Sequence, residues 1–186
     1  MKLTTMTQVS IDGVMEDNGR WARGKGDATT TDLIKQTYER ADAFLFGRRT
    51  YEFFAGSWGT TSEQDIPDWA PVVRALNSRP KYVVSTTLTE PAWSGTILLP
   101  DATAIADLKA EQSGELQVHG SGALIRWLLE HDLVDEMTLI VVPVIVGRGA
   151  RLFPHEGPGI ALDLIESRVD SNGVATQVYR PQHAQS

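Results

Sequence analysis

The 186-residue chain is 41% hydrophobic, carries 17 Lys and Arg against 24 Asp and Glu for a net charge of −7, and contains no cysteine. That composition fits one domain of ordinary size with a real core. It excludes disulfides, thiolate-bound zinc, iron–sulfur clusters and cysteine nucleophiles, and its acidic balance speaks against a broad nucleic-acid footprint, which needs clustered positive charge. No apolar window is long enough to cross a bilayer and no leader-like segment opens the chain, so a soluble, cytoplasmic protein is expected, with neither a membrane nor a nucleic-acid partner.

In chain order, hydrophobic periodicity predicts a strand over Leu3–Val9, a helix over Thr31–Arg40, a strand over Ala43–Phe46 and a short helix over Thr50–Phe54. A helix over Asp68–Asn77, a strand over Lys81–Ser85, a weak strand over Thr96–Leu99 and a helix over Ala102–Glu111 come next. Leu116–His119 reads as a strand and Gly122–Glu130 as a helix. Short apolar strands alternating with helices imply an α/β fold with a central, mostly parallel sheet flanked by helices. The last third is richer in β signal: Met137–Val146, Ala161–Val169 and Val174–Tyr179, with Asp170-Ser171-Asn172-Gly173 as a hairpin turn, so the sheet is expected to finish in an antiparallel C-terminal hairpin. One domain over residues 1–180 and a polar tail over 181–186 are expected, and the polar, Gly-rich stretch Glu16–Asp27 suits a lid.

The most informative local feature is Val118-His119-Gly120-Ser121-Gly122-Ala123-Leu124, a buried strand that breaks at glycines and turns into a helix. Such a turn presents unpaired backbone N–H groups to an anion, although a tight connection needs the same residues. The G-x-G-x-x-G dinucleotide fingerprint belongs in a first βα unit; here the glycines come late and Ile125 stands at the third glycine's position, which demotes a Rossmann dehydrogenase. The adjacent cations Arg48-Arg49 follow the strand Ala43–Phe46. They suit either a local anion site or plain solvation. No histidine pair has metal-ligand spacing, and no serine stands in a nucleophile-elbow context.

Taken together, Ser10-Ile11-Asp12-Gly13, Gly47-Arg48-Arg49-Thr50-Tyr51-Glu52, Lys81-Tyr82-Val83-Val84-Ser85-Thr86, Val118–Gly122 and the Val134–Gly149 tail resemble the dihydrofolate reductase-like family. Within it they are most similar to the bacterial branch related to the C-terminal reductase domain of the riboflavin biosynthesis protein RibD. The resemblance spans about residues 3 to 180. It implies NADPH as cofactor. Arg48, helped by Arg49 and next to Gly47, would bind the ribose 2′-phosphate; Ser85 and Thr86 would lie near the same phosphate, and Thr50 would offer its hydroxyl and backbone donors to the pyrophosphate. Gly120, Ser121, Gly122, Ala123 and Leu124 would cradle the pyrophosphate. It also implies that the Ser10–Trp21 loop closes over the nicotinamide, while Asp12 equally suits an Asx-turn with Gly13.

For a proton donor, Asp27 and Asp32 lie near the place where dihydrofolate reductases put a carboxylate, and Asp32 also suits simple dipole stabilisation of a helix start. His119 is either a packed loop-edge residue or a group that hydrogen-bonds or protonates substrate. These readings point to an NADPH-dependent oxidoreductase acting on a small planar heterocyclic carbonyl or imine, of pteridine or pyrimidine type as in 5-amino-6-(5-phosphoribosylamino)uracil reductase. A nucleotide-binding or regulatory module that kept the fold and lost the chemistry is the alternative. The apolar length of Met137–Val146, and the habit of related domains, point to a homodimer.

Overall fold

The computed structural model describes residues 1–15, 20–154 and 159–182. Residues 16–19 of the expected lid and 183–186 of the expected tail lie outside this set. The strands are β1 (Lys2–Ser10), β2 (Ala43–Gly47), β3 (Lys81–Val84), β4 (Thr96–Leu99), β5 (Glu115–Val118), β6 (Glu136–Val142), β7 (Leu162–Val169) and β8 (Ala175–Pro181). The helices are α1 (Ala28–Arg40), α2 (Arg48–Ser57), α3 (Ala70–Ser78), α4 (Ala102–Glu111) and α5 (Gly122–Glu130). One 3-10 turn follows α2 and another, Pro67–Trp69, leads into α3.

The strands form one eight-stranded sheet in the order β4-β3-β2-β5-β1-β6-β8-β7. All pairings from β4 to β6 are parallel, and β8 runs antiparallel to both β6 and β7. This is the expected mixed sheet with its antiparallel C-terminal hairpin, held at the turn by Asp170, whose carboxylate accepts from Asn172 N–H and Val174 N–H. Ala43 to Phe46 are buried without exception, as a strand covered on both faces requires.

Two cores result. Tyr38 of α1, Tyr51 of α2 and Val72, Ala75 and Leu76 of α3 pack with Phe44, Phe46 and Ile140 on one face. Ile105 and Leu108 of α4 and Leu124, Ile125, Leu128 and Leu129 of α5 pack with Leu3, Leu45, Val118 and Met137 on the other. The helices that follow β1 and β2 thus cover one face and the helix that follows β5 the other. Because β5 lies between β1 and β2 and the helices after β1 and β5 cover opposite faces, the C-terminal end of β5 is the topological switch point of the sheet, where a ligand crevice is expected.

Several element boundaries shift from the sequence reading, each for a local reason. Helix α1 starts at Ala28 because Asp27 is its N-cap, accepting from Thr29 N–H and Thr30 N–H. Helix α2 starts at Arg48 and runs on to Ser57. Strand β5 ends at Val118, so His119 belongs to the turn. Strand β6 stops before Pro143, and Met137, Ile140 and Val142 are buried between β1 and β8 within this chain. The apolar run of Met137–Val146 is therefore largely spent inside its own sheet. On the outermost strand β7, Leu164, Ile165 and Val169 are exposed, at 55%, 47% and 66%, and Ile145, beyond the end of β6, is exposed at 74%.

Candidate functional site

At the C-terminal edge of the sheet, Gly47 ends β2 and N-caps α2 without any side-chain cap, which leaves the first-turn N–H groups of that helix free. Its φ of −79° needs no glycine, but a Cβ there would stand 3.5 Å from Ser121 Oγ and 3.6 Å from Leu124 Cβ. The starts of α2 and α5 are therefore side by side, separated by the space that Gly47 leaves. Gly120 has φ +75°, a left-handed conformation that favours glycine, and its peptide bond to Ser121 is cis. Ser121 caps α5, its hydroxyl accepting from Leu124 N–H at 3.4 Å. Ala123 is exposed, whereas the Leu124 side chain is buried in the core, so only its backbone faces the turn.

Arg48 projects from the first turn of α2, half exposed, with Nε donating to Glu52 at 2.7 Å and Nη1 to Thr87 Oγ1 at 2.8 Å. Arg49 is exposed and makes no ion pair with a described residue, and Thr50 is half-buried. Ser85 Oγ accepts from Thr87 N–H and Leu88 N–H, so it shapes the turn after β3, while Thr86 is exposed. Thr87, the third hydroxyl of that run, is the one that meets Arg48; the sequence reading stopped one residue short.

The loop after β1 reaches across to the glycine turn. Its Met15 side chain packs so closely that a Cβ on Gly122 would lie 2.6 Å from the Met15 sulfur and 3.1 Å from Arg126 Nη1. Asp12 holds this loop. Its carboxylate accepts from Ser10 Oγ, Val146 N–H and Gly147 N–H and faces Arg151 at 3.5 Å. The Ser10 hydroxyl, then the Val146 amide, hold the Asp12 carboxyl well below the usual carboxylate range. An Asx-turn with Gly13 does not form: Gly13 N–H goes to the Ser10 carbonyl, and Asp12 instead ties two loops together.

The three proton-donor candidates stand as follows. Asp27 accepts from Thr29 N–H and Thr30 N–H on one oxygen and from Ser171 N–H and Ser171 Oγ on the other. Those bonds, the Ser171 hydroxyl first, hold it at about 2, so it is an ionised cap that ties α1 to the β7–β8 turn. This replaces the proton-donor reading of Asp27. The junction is reciprocal, since Asp27 N–H and Thr30 Oγ1 donate to Asp170. A cavity of about 150 Å³ adjoins it, lined by Asp27, Thr30, Arg168, Asp170 and Thr176 among others. Asp32 is exposed and lies beyond the first turn of α1, which holds no acidic residue, so the first-turn dipole reading does not apply. His119 stacks flat on Tyr38, centroids 4.0 Å apart and 8° from parallel. Burial, then the Arg40 charge, push its imidazole down to about 3. That shift favours the neutral ring, so a hydrogen-bonding role suits His119 better than an acid one.

The sequence model of the RibD C-terminal domain family matches residues 1–176. The chain belongs to that family. Among relatives, the uncharacterized protein YyaP of Bacillus subtilis is 29% identical over 178 residues, 92% of this chain and 90% of its own length. YwjB of the same organism is 27% identical over 154 residues, 80% of this chain and 79% of its own. A Shewanella sp. PV-4 protein assigned to riboflavin biosynthesis superposes with TM-score 0.74 at 24% identity, covering 98% of this chain and all of that one. Dihydrofolate reductase from Enterococcus faecalis, complexed with NADP(H) and RAB-propyl, superposes with TM-score 0.65 at 14% identity over 97% of this chain and 96% of its own. The fold is thus dihydrofolate reductase-like, as the resemblance implied. Among the described residues no helix is long and apolar enough to cross a membrane.

Proposed function

We propose that this member of the RibD C-terminal domain family is an NADPH-dependent reductase of a small planar heterocyclic carbonyl or imine. The observation that carries it is the pair of adjacent helix starts at the crevice beside β5, one of them uncapped, with Arg48 on the rim. The residues present fit a dinucleotide phosphate: a side chain at Gly47 would fill the gap between the two turns, and free N–H groups with a local cation are what such an anion needs. Arg48 and Arg49 would hold the 2′-phosphate, with Ser85 and Thr86 nearby, and Thr50 would face the pyrophosphate. The turn Gly120–Ala123 would hold the pyrophosphate through its backbone, joined by Leu124 only where its N–H exchanges the Ser121 hydroxyl for the phosphate. Bound NADPH supplies a hydride, so no protein nucleophile is needed. The loop carrying Met15 would exclude water from the crevice.

The second reading, a nucleotide-binding module without catalysis, draws on the fate of the carboxylates: Asp27 is a saturated cap and Asp32 is exposed. Quenching of tryptophan fluorescence by NADPH and NADH, followed by NADPH oxidation with pteridines, ribityl-pyrimidines and quinones, separates the readings. Binding with turnover supports the reductase; binding with no turnover supports the module; no binding overturns both.

For assembly we propose a homodimer, now through β7 rather than β6. Among the described residues no strand pairs with its outer edge, and antiparallel pairing of two copies about the Ile165–Glu166 midpoint sets Asp163 of one opposite Arg168 of the other. Exposed Leu164 and Val169 would be covered with it.

A further inference from the structure

Tyr51 stands three residues after Arg48 in the segment Gly47–Glu52, and the two side chains part company: Arg48 is half exposed on the rim, whereas Tyr51 is fully buried. The Tyr51 hydroxyl meets the chain that links β3 to β4. It accepts from Trp93 N–H at 2.9 Å, and Thr96 Oγ1 stands 3.2 Å from it. Thr96 has one hydroxyl hydrogen, which goes to the Trp93 carbonyl at 2.5 Å, so Tyr51 donates its own hydrogen to Thr96 Oγ1. As acceptor and as donor, the phenol serves one short stretch of that link.

Strands β3 and β4 pair in parallel, so between them the chain must cross back from one edge of the sheet to the other. Residues 85–95 make that crossover without helix or strand, and Trp93 is the one buried residue among them. Tertiary ties must therefore hold it in place. Near its start, Thr87 Oγ1 accepts from Arg48 Nη1 at 2.8 Å, and Ser85 Oγ closes the turn by accepting from Thr87 N–H and Leu88 N–H. Near its end, Tyr51 fixes the Trp93 backbone. The Trp93 ring is fixed separately: its Nε1 donates to Asn77 Oδ1 at 2.8 Å, and Lys81 Nζ lies 4.9 Å from the ring centre. The crossover is thus tied twice to the start of α2, at the surface through Arg48 and in the core through Tyr51. Of the five N–H groups of Arg48, Nε goes to Glu52 and one on Nη1 goes to Thr87, and among the described residues the other three have no partner. Thr87 therefore aims the guanidinium while leaving donors for a ligand.

We infer that Tyr51 is a positioning residue for the anion site at the start of α2: by holding the Trp93 backbone it keeps the crossover alongside the helix and so sets Thr87 where it steadies the Arg48 guanidinium. Tyr51 is fully buried and meets no ligand itself; it acts through Trp93, Thr87 and Arg48 in turn. The ligand served, the 2′-phosphate that distinguishes NADPH from NADH, rests on the reductase reading; the ordering of the crossover by Tyr51 does not. Removing the hydroxyl leaves Trp93 N–H buried and unpaired, which loosens the crossover backbone. The ring kept in Tyr51→Phe still packs on Trp93, with centroids 6.3 Å apart, and Asn77 still holds the Trp93 ring, so the fold is retained.

The test is calorimetric titration of Tyr51→Phe with NADPH and with NADH, repeated in the Arg48→Ala background. Tyr51→Phe is expected to bind NADPH about threefold to tenfold more weakly with NADH almost unchanged, and to cause no further loss once Arg48 is gone. An equal loss for both cofactors, or a loss that persists in the Arg48→Ala background, marks a merely structural tyrosine and overturns the inference. Thr87→Val, a change at an exposed position that leaves the core intact, is expected to reproduce the selective loss and Thr87→Ser to restore binding; Thr87→Val with NADPH affinity unchanged also overturns it. A second measurement needs no cofactor. Amide hydrogen exchange of the free protein should show Leu88 N–H, at the Thr87 end of the crossover, exchanging faster in Tyr51→Phe together with Trp93 N–H. Acceleration confined to Trp93 overturns the inference. A protein that binds no NADPH yet shows both accelerations upholds the ordering of the crossover by Tyr51 and refutes the reductase reading.

Discussion

Replacing Arg48 with alanine tests the cofactor site at its most selective point. In the free protein the Arg48 guanidinium is occupied by Glu52 and Thr87. An exposed i,i+4 ion pair contributes about 0.3–0.5 kcal/mol and a neutral hydrogen bond about 1 kcal/mol, so the variant should lose little stability and melt within a few degrees of the wild type. A charge-assisted bond to a phosphate is worth about 1.5–3 kcal/mol, from which the exchange of partners subtracts part. NADPH should therefore bind roughly tenfold to thirtyfold more weakly to Arg48→Ala, and NADH should bind almost unchanged. Glu52→Gln runs the other way. It frees the guanidinium of its competitor and should tighten NADPH about twofold. Both are read by fluorescence titration, with thermal melts as the fold control. Equal loss for the two cofactors in Arg48→Ala would refute the assignment of Arg48 to the 2′-phosphate.

Gly122→Ala should destabilise the protein by about 1–3 kcal/mol, because the new methyl meets the Met15 sulfur at 2.6 Å and Arg126 at 3.1 Å; an unchanged denaturation midpoint would contradict that packing. Asp27 has a folded pKa of about 2 against an ordinary 3.8, so its contribution is complete above pH 4 and lost as pH falls toward 2; Asp27→Asn should flatten the acid limb of a stability–pH curve over that window. Lys81 is fully buried, donates to the Leu76 and Arg79 carbonyls, and is pushed down to about 8 by burial. Between pH 8 and about 10.4 the unfolded lysine keeps a proton that the folded one has released, so wild-type stability relative to Lys81→Met should rise with pH, and a flat difference in urea midpoints would count against it. Sedimentation equilibrium at micromolar concentration should find a dimer that Leu164→Glu dissociates without loss of circular dichroism; a wild-type monomer removes the dimer.

The repetitive elements were legible because periodicity reports burial directly. Thr96–Leu99, Ala102–Glu111 and Gly122–Glu130 have the same limits in the structure as in the sequence reading. Helix α1 began earlier than periodicity suggested, since Ala28 to Thr31 carry no apolar stripe and only the Asp27 cap marks the start. The glycine turn and Arg48 could be read from spacing, but Thr87 as the partner of Arg48 could not, because that contact joins two strand ends. The same holds for Asp12 and Asp27. Each looked like a local turn or catalytic residue, and each spends its carboxylate on a segment more than a hundred residues away. Sequence distance hides such ties, whereas a helix face or a strand alternation is written locally.

Strand β1, first in the chain, is flanked in the sheet by β5 and β6, which are separated from it by most of the polypeptide. During synthesis its buried edge groups have no partners until Glu115–Val118 and then Glu136–Val142 have been made. The N-terminal segment must therefore wait, exposed, while β2, β3 and β4 assemble beside an empty place in the sheet. Closure of that place is a late, long-range event, which favours slow folding and makes nascent chains ending before β5 the natural clients of chaperones that shield unpaired strands.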